Sequence, residues 1–102
     1  MLLTQVKGQV VASAKVPRLG GTKLLMVEIM NVRDAAIIGT GRHMVCIDAV
    51  GAGEGEMTLA VMGSSARMAP GMSEVPTDGV IVGIVDSVHV GGQRLGLPGA
   101  GP

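Results

Sequence analysis

The sequence predicts a small all-β protein, built as a five-stranded antiparallel barrel with one short helix. Short runs of Val, Ile, Leu and Met recur along the chain, several of them alternating with polar residues as strands do. Glycine and proline, 17 and 5 of the 102 residues, separate these runs at short intervals. No stretch has the length and periodicity of an amphipathic helix. Short strands joined by short turns are best accommodated in a barrel, because closure hides the strand edges.

The first strand is predicted over Leu3–Ala12. Val6 and Val10 fall on one face of this segment, whereas Gln5 falls on the polar face, so the strand should be half-buried. The following segment, Ser13–Thr22, contains proline and glycine and is too short for a crossover helix. It is therefore predicted to be a loop.

The second strand is predicted over Leu24–Met30, and both of its faces are apolar. One face carries Leu25, Val27 and Ile29, and the other carries Leu24, Met26 and Met30. A barrel interior covers only one of these faces, so the other needs a partner. Residues 31–42 are interpreted as a loop with a brief extended piece.

The third and fourth strands, Met44–Val50 and Met57–Met62, flank a glycine-rich turn. Gly51, Gly53 and Gly55 give the backbone freedom to adopt positive φ at alternate positions. A hairpin is therefore the expected geometry. Gly-rich loops also bind phosphate, but no lysine follows at P-loop spacing.

A short helix is predicted from Gly63 to Arg67, stopped by Pro70 and Gly71. The last strand is predicted over Gly79–Val88. Five strands suit a small OB-like barrel. The similarity is partial, because this helix lies between the fourth and fifth strands, whereas an OB-fold usually has its helix between the third and fourth.

One domain is predicted over residues 1–90, followed by a tail at residues 91–102. The tail is rich in glycine and proline and has little to bury, so it is predicted to be disordered. Leu95 and Leu97 are the two residues in it that offer an apolar contact to a neighbouring copy or a cargo protein.

Composition argues against several classes of function. The formal net charge is zero and aromatic residues are absent, so the chain lacks both the basic surface and the stacking faces that nucleic-acid binding uses. The opening residues predict neither a signal peptide nor a membrane span, which favours a cytoplasmic protein. The single cysteine, Cys46, lies among apolar neighbours and is predicted to be a core residue.

No catalytic, cofactor or metal site is predicted. His43 and Cys46 fall on opposite faces of a strand, and His89 is far away in sequence, so three or four convergent zinc ligands cannot be assembled. Ser64 and Ser65 stand outside a nucleophile elbow and fit helix capping better.

Three charged residues stand inside the most apolar stretches, namely Asp48, Arg67 and Asp86. A charge in such surroundings needs a partner or a position at the rim. An ion pair between Arg67 and a carboxylate and a solvated position at a strand end are equally compatible with the sequence.

Four motifs occur together in a fixed order. They are Leu19–Leu25 (LGGTKLL), Asp48–Glu56 (DAVGAGEGE), Gly63–Arg67 (GSSAR) and Ile81–Asp86 (IVGIVD). Through these motifs the chain resembles the EutN/CcmL family, the pentameric vertex proteins of bacterial microcompartment shells. The resemblance covers residues 1 to about 88.

The resemblance implies a homo-pentamer that meets hexameric shell proteins, in a carboxysome or a catabolic compartment. It implies a structural role without cofactor, with Gly51, Ala52 and Gly53 shaping a loop near the ring axis. Ser64, Ser65 and Arg67 lie in the segment implied to contact neighbouring tiles. The two-faced strands independently favour a closed ring of copies, but the number five comes from the resemblance alone.

Two other functions are compatible with a small barrel. An OB-like module could hold nucleic acid or a small ligand in its groove, although the composition weighs against nucleic acid. An enzyme with its site at a subunit boundary is the other, but no base, nucleophile and orienting group occur together.

Overall fold

The computed structural model describes residues 1–13, 17, 21–63 and 79–99. These residues contain seven strands, with the bounds β1 (Leu2–Val10), β2 (Leu24–Arg33), β3 (Ala36–Asp48), β4 (Met57–Met62), β5 (Gly79–Ile84), β6 (Val88–Val90) and β7 (Gln93–Leu95). The first five close into a barrel in the order β1-β2-β3-β5-β4, and β6 pairs with β7 in a separate two-stranded sheet. The predicted all-β, five-stranded barrel is confirmed.

The barrel has one parallel pair, which the prediction of an antiparallel barrel missed. Ile47 pairs with Val80 and Asp48 with Ile81, so β3 and β5 run in the same direction. The reason is topological. Because β4 pairs with β1 rather than with β3, β5 fills the gap between β3 and β4. A strand antiparallel to β4 at that position must be parallel to β3.

The interpretation of residues 31–42 as a loop is wrong. β2 continues to Arg33 and β3 begins at Ala36, so the two strands form a long hairpin. Asp34 and Ala35 make its two-residue turn with φ of 52° and 58°. Positive φ at both central positions is what a type I′ turn requires. The turn was missed because it lacks the glycine that usually marks this geometry.

Both faces of β2 contain buried residues. Leu25 and Val27 are buried as one face, as predicted. Met30, on the opposite face as predicted, is buried in a different cluster, with Ile37, Met57 and Leu95, whereas Ile29 is only partly buried. The register with β3 shifts between Glu28 and Met30, where one residue of β2 lies opposite three of β3.

The barrel interior is filled by small and branched side chains. This core cluster consists of Val6, Leu25, Val27, Cys46, Ala52, Ala60 and Ile81. Cys46 is thus a core residue, as predicted. A second cluster centres on Ile47 and Val80. Because Val80 and Ile81 are consecutive and both fully buried, β5 is covered on both faces.

A third cluster joins the C-terminal residues to the barrel. Met30, Ile37, Met57 and Leu95 form it, with Leu3, Val85, Val88 and Leu97 packed against them. The structure here differs from the predicted disordered tail, because β7 is a strand and Leu95 is buried. The fifth predicted strand is also divided, since β5 ends at Ile84 and β6 begins at Val88.

All of the predicted short helix Gly63–Arg67 except Gly63 lies outside the described part of the chain. Within the described ranges, no helix is both long enough and apolar enough to cross a membrane.

Candidate functional site

The segment Asp48–Glu56, called the glycine loop below, is held in one conformation by a single carboxylate. Asp48 lies at the end of β3, and its side chain is only 2% exposed. One oxygen, Oδ1, accepts hydrogen bonds from the N–H groups of Val50 and Gly51 at 3.0 and 3.1 Å. The other, Oδ2, accepts one from the N–H of Ala52 at 3.0 Å. Asp48 therefore fixes three successive peptide groups of the loop.

Lys23 completes the charge balance around Asp48. Its Nζ lies 3.8 Å from Oδ2 of Asp48 and donates to the carbonyl of Ala52 at 3.0 Å. The Lys23 carbonyl also accepts the N–H of Asp48 at 2.9 Å. A buried carboxylate is tolerated when it is paired and hydrogen-bonded, and here both conditions hold. Asp48 thus has an ion-pair partner, and that partner is Lys23.

The second half of the loop is fastened to β1 and to the start of β4. Ala52 is fully buried in the barrel core. Oε1 of Glu56 accepts the N–H of Gly53 at 2.6 Å, and the Glu56 N–H donates to the Gly53 carbonyl at 3.1 Å. Val6 exchanges backbone hydrogen bonds with Gly55 and Glu56. The loop is therefore anchored at both ends and at Ala52.

Two of the three loop glycines use their freedom to adopt positive φ. Gly51 has φ of 79° and Gly55 of 90°, a region that side chains disfavour. Gly53 is not in this region, so the prediction of positive φ at alternate positions holds for two of the three. A Cβ on Gly53 would lie 3.3 Å from Oε1 of Glu56, so close approach explains the third glycine.

The loop is suited to presenting a surface rather than to chemistry. Its amides at residues 50–52 point at Asp48 and are not available to an external anion. Three N–H groups of the loop and the nearby Lys23 engage the Asp48 carboxylate, so its contacts serve to hold the loop. Val50 is the large apolar side chain exposed on the loop, at 39%, and the side chains of Ala49, Glu54 and Glu56 are exposed beside it. What this geometry offers is a rigid apolar contact point.

The other predicted site residues are dispersed. Asp86 is exposed, and no ion pair joins it to another residue in the described ranges. Ser64, Ser65 and Arg67 lie outside those ranges. Among the residues that are described, no three His, Cys, Asp or Glu side chains are grouped to hold a metal ion.

Sequence reasoning missed Gln5 and Glu28, two polar residues on strands. Gln5 was assigned to the polar face, yet it is only 4% exposed. Glu28 accepts the N–H of Gly41 at 2.9 Å and pairs with Lys7 at 3.3 Å. The Gly41 hydrogen bond, aided by Lys7 and His43, lowers the pKa of Glu28 from its ordinary 4.5 despite an opposing effect of burial. The contacts of Glu28 with Gly41 and with Lys7 leave no signal in the sequence, because each joins residues that are distant in the chain.

The family assignment rests on most of the chain. A family model described as ethanolamine utilisation protein EutN/carboxysome matches residues 1–86. The chain belongs to the EutN/CcmL family. The resemblance drawn from the four motifs is thereby confirmed.

Named members of the EutN/CcmL family are similar over nearly their whole length. The carboxysome shell vertex protein CcmL of Synechocystis sp. is 39% identical over 95 residues, which is 93% of this chain and 92% of that protein. The bacterial microcompartment shell vertex protein EutN of Salmonella typhimurium is 44% identical over 93 residues, 91% of each chain.

Solved structures of EutN/CcmL proteins share the fold. The structure of Gloeobacter violaceus CcmL matches with a TM-score of 0.83 at 35% identity, covering 92% of this chain and 94% of that one. The GrpN pentameric microcompartment shell protein from Rhodospirillum rubrum matches with a TM-score of 0.78 at 41% identity, covering 88% and 99%.

Proposed function

We propose that this protein is a structural component of a bacterial microcompartment shell, without catalytic activity, and that five copies form a ring that caps a vertex. The observation that carries the proposal is the full-length similarity to a protein described as pentameric, at 41% identity and a TM-score of 0.78. Relatives from different organisms named as shell vertex proteins support the same role.

Exposed apolar side chains support association of the chain with copies of itself. Seven described Val, Ile and Met residues between residues 32 and 90 are exposed by 37–48%, namely Val32, Ile38, Val45, Val50, Met62, Ile84 and Val90. Covering such side chains in a head-to-tail contact that closes gives a ring. A chain of 102 residues also gains stability by association, because a small domain buries a limited fraction of its surface.

Native mass spectrometry tests the ring directly. Five copies of a 10.3 kDa chain give an assembly of about 52 kDa. A dominant pentamer at micromolar concentration is the expected result. Single chains at the same concentration would overturn the proposal.

The vertex role follows from the geometry of a closed shell. A sheet of sixfold tiles is flat, and fivefold units are what allow it to close into a polyhedron. Coexpression with hexameric shell proteins, followed by electron microscopy, should give closed shells with this protein present. Without this protein the same hexamers should give open sheets, tubes or shells with gaps at their vertices.

We infer that Ser64, Ser65 and Arg67 contact the neighbouring hexamers. The family motif that contains them supports this assignment. Charge reversal by Arg67→Glu should leave the pentamer intact but reduce its incorporation into shells severalfold, measured by co-purification with the hexamers. Arg94→Glu reverses an exposed charge on β7 and is the matched control. Equal incorporation of the two variants would contradict the assignment.

A further inference from the structure

The C-terminal segment Val88–Gly99, called the strap below, lies against the barrel. Leu95 is only 4% exposed and packs in a cluster with Met57, Met30 and Ile37. Leu97 packs against the same cluster. Part of the apolar outer surface is therefore covered by the chain's own strap, not by a second copy.

Gln5 fastens the end of the strap. Its Nε2 donates to the carbonyl of Pro98 at 2.7 Å and to the carbonyl of Gly55 at 3.2 Å. Its Oε1 accepts from Nζ of Lys7 at 3.0 Å. Gln5 is the cross-strand neighbour of Met57, so the amide and the apolar contact to Leu95 belong to the same face of the β1–β4 pair. The hydrogen bond from Gln5 to the strap is therefore made to the backbone, at the carbonyl of Pro98.

The backbone of Gly99 fits closely at this point. Gly99 has φ of 75°, and a Cβ there would lie 2.6 Å from Nε2 of Gln5. The site therefore selects a glycine after the proline. An open surface cleft of about 280 Å³ adjoins the strap, with Met57, Val85 and Leu97 among its lining residues. The end of the strap, Leu97–Gly99, therefore borders solvent on one side.

We propose that the face beneath the strap is a peptide-binding groove that the chain itself occupies, and that it accepts an extended Leu-x-Leu-Pro-Gly segment from another polypeptide. The two leucines supply apolar anchors, and Gln5 recognises the backbone at the proline. Backbone hydrogen bonds combined with apolar anchors are a recurring mode of extended-peptide recognition. The strap competes with any such partner, because its covalent attachment gives it a high effective concentration.

Full-length protein and a fluorescein-labelled peptide with the sequence of residues 93–99, QRLGLPG, test the groove by fluorescence anisotropy. Wild-type protein should bind the peptide weakly, because its own strap occupies the site. Leu95→Ala weakens the strap and should bind the peptide at least tenfold more tightly. Adding Gln5→Ala to Leu95→Ala should remove most of that gain.

Three controls make the result interpretable. Val90→Ala changes an exposed strap residue and should bind the peptide as weakly as wild type. A peptide with both leucines replaced by alanine should bind no variant. If circular dichroism shows that Leu95→Ala does not fold, Leu97→Ala, which alters a partly buried anchor, takes its place. Equal affinity of the folded strap variant and the wild type, or equal binding of the alanine peptide, would overturn the proposal.

This inference is separable from the vertex function. A pentamer that incorporates into shells but fails to bind the peptide would contradict the groove alone. Peptide binding by a chain that stays monomeric would contradict the vertex function alone.

Discussion

At the scale of single residues, Asp48 carries more of the local structure than any other side chain of the glycine loop. Three N–H groups and Lys23 converge on its carboxylate. Asp48→Ala leaves those donors without an acceptor, so we expect the free energy of unfolding to fall by about 2–4 kcal/mol. Urea denaturation measures the loss.

The matched control for this prediction is Asp86→Ala. Asp86 is exposed, so its replacement should change the free energy of unfolding by no more than about 0.5 kcal/mol. A loss of similar size in both variants would mean that the loop hydrogen bonds contribute little to stability.

The sequence identified Asp48 as a charge in need of a partner but could not identify Lys23. Composition shows that a carboxylate beside an apolar strand must be compensated, since burial of a lone charge is costly. The choice of cation depends on the pairing of Leu24 with Ile47, which brings Lys23 alongside Asp48. Strand register of this kind is a tertiary property that local patterns do not encode.

At the scale of elements, the β2–β3 turn contains a residue poorly suited to its conformation. Ala35 has φ of 58°, where a Cβ is strained. Ala35→Gly should raise the free energy of unfolding by about 0.5–1 kcal/mol, the strain relieved minus the extra entropy of glycine in the unfolded chain. Ala36→Gly, one residue further on in β3, should lower it by a similar amount. Thermal melts of both variants check the signs, and stabilisation by Ala36→Gly would contradict this explanation.

The contacts of Glu28, which join β2 to Lys7 on β1 and to Gly41 on β3, predict that the free energy of unfolding depends on pH. The Gly41 N–H, with Lys7 and His43, lowers its pKa below 4.5 in the folded state. A lowered pKa means stability that is present above 4.5 and lost as the pH falls through the folded-state value. Glu28→Gln should therefore show a shallower loss of stability on acidification than wild type, measured by urea titrations across that range.

The control for Glu28 is Glu54→Gln, which neutralises an exposed carboxylate of the glycine loop. Its acid dependence should follow that of wild type. A profile of Glu28→Gln that also follows wild type would show that the Gly41 and Lys7 contacts do not act on folding.

The elements that the sequence predicted well are those bounded by glycine or by alternation. β4 has the predicted bounds. The predicted hairpin through the glycine loop is wrong, because β5 lies between β3 and β4 and β4 pairs with β1. β3 was predicted over only its second half, because Gly39 and Gly41 resemble loop residues. In the structure Gly39 lies within β3. The position is a glycine because a Cβ there would collide with the carboxylate of Glu28. The sequence indicated Leu95 and Leu97 as apolar contacts to another chain, but that they pack against this chain's own barrel becomes visible only in the folded structure.

At the scale of the whole molecule, Val50 tests the proposal that the glycine loop lies near the ring axis. Five copies of Val50→Glu would place five carboxylates close together there. Their repulsion should reduce the pentamer fraction at low ionic strength, and salt should restore it by screening. Val90→Glu introduces the same charge at another exposed position on the strap. If both variants respond identically to salt in native mass spectrometry, the loop does not lie at the axis.

The single parallel pair has a consequence for how the chain folds. Ile47 and Val80 are 33 residues apart in sequence, whereas β2 and β3 meet through a two-residue turn. Closing so long a segment costs entropy that the short hairpin avoids, so docking of β5 beside β3 should be the rate-limiting event. Until it happens the open sheet exposes backbone donors and acceptors to any strand nearby. Ring assembly thus requires that each chain closes its own barrel before it associates with other chains. Refolding slowly at high protein concentration should therefore yield aggregates instead of rings.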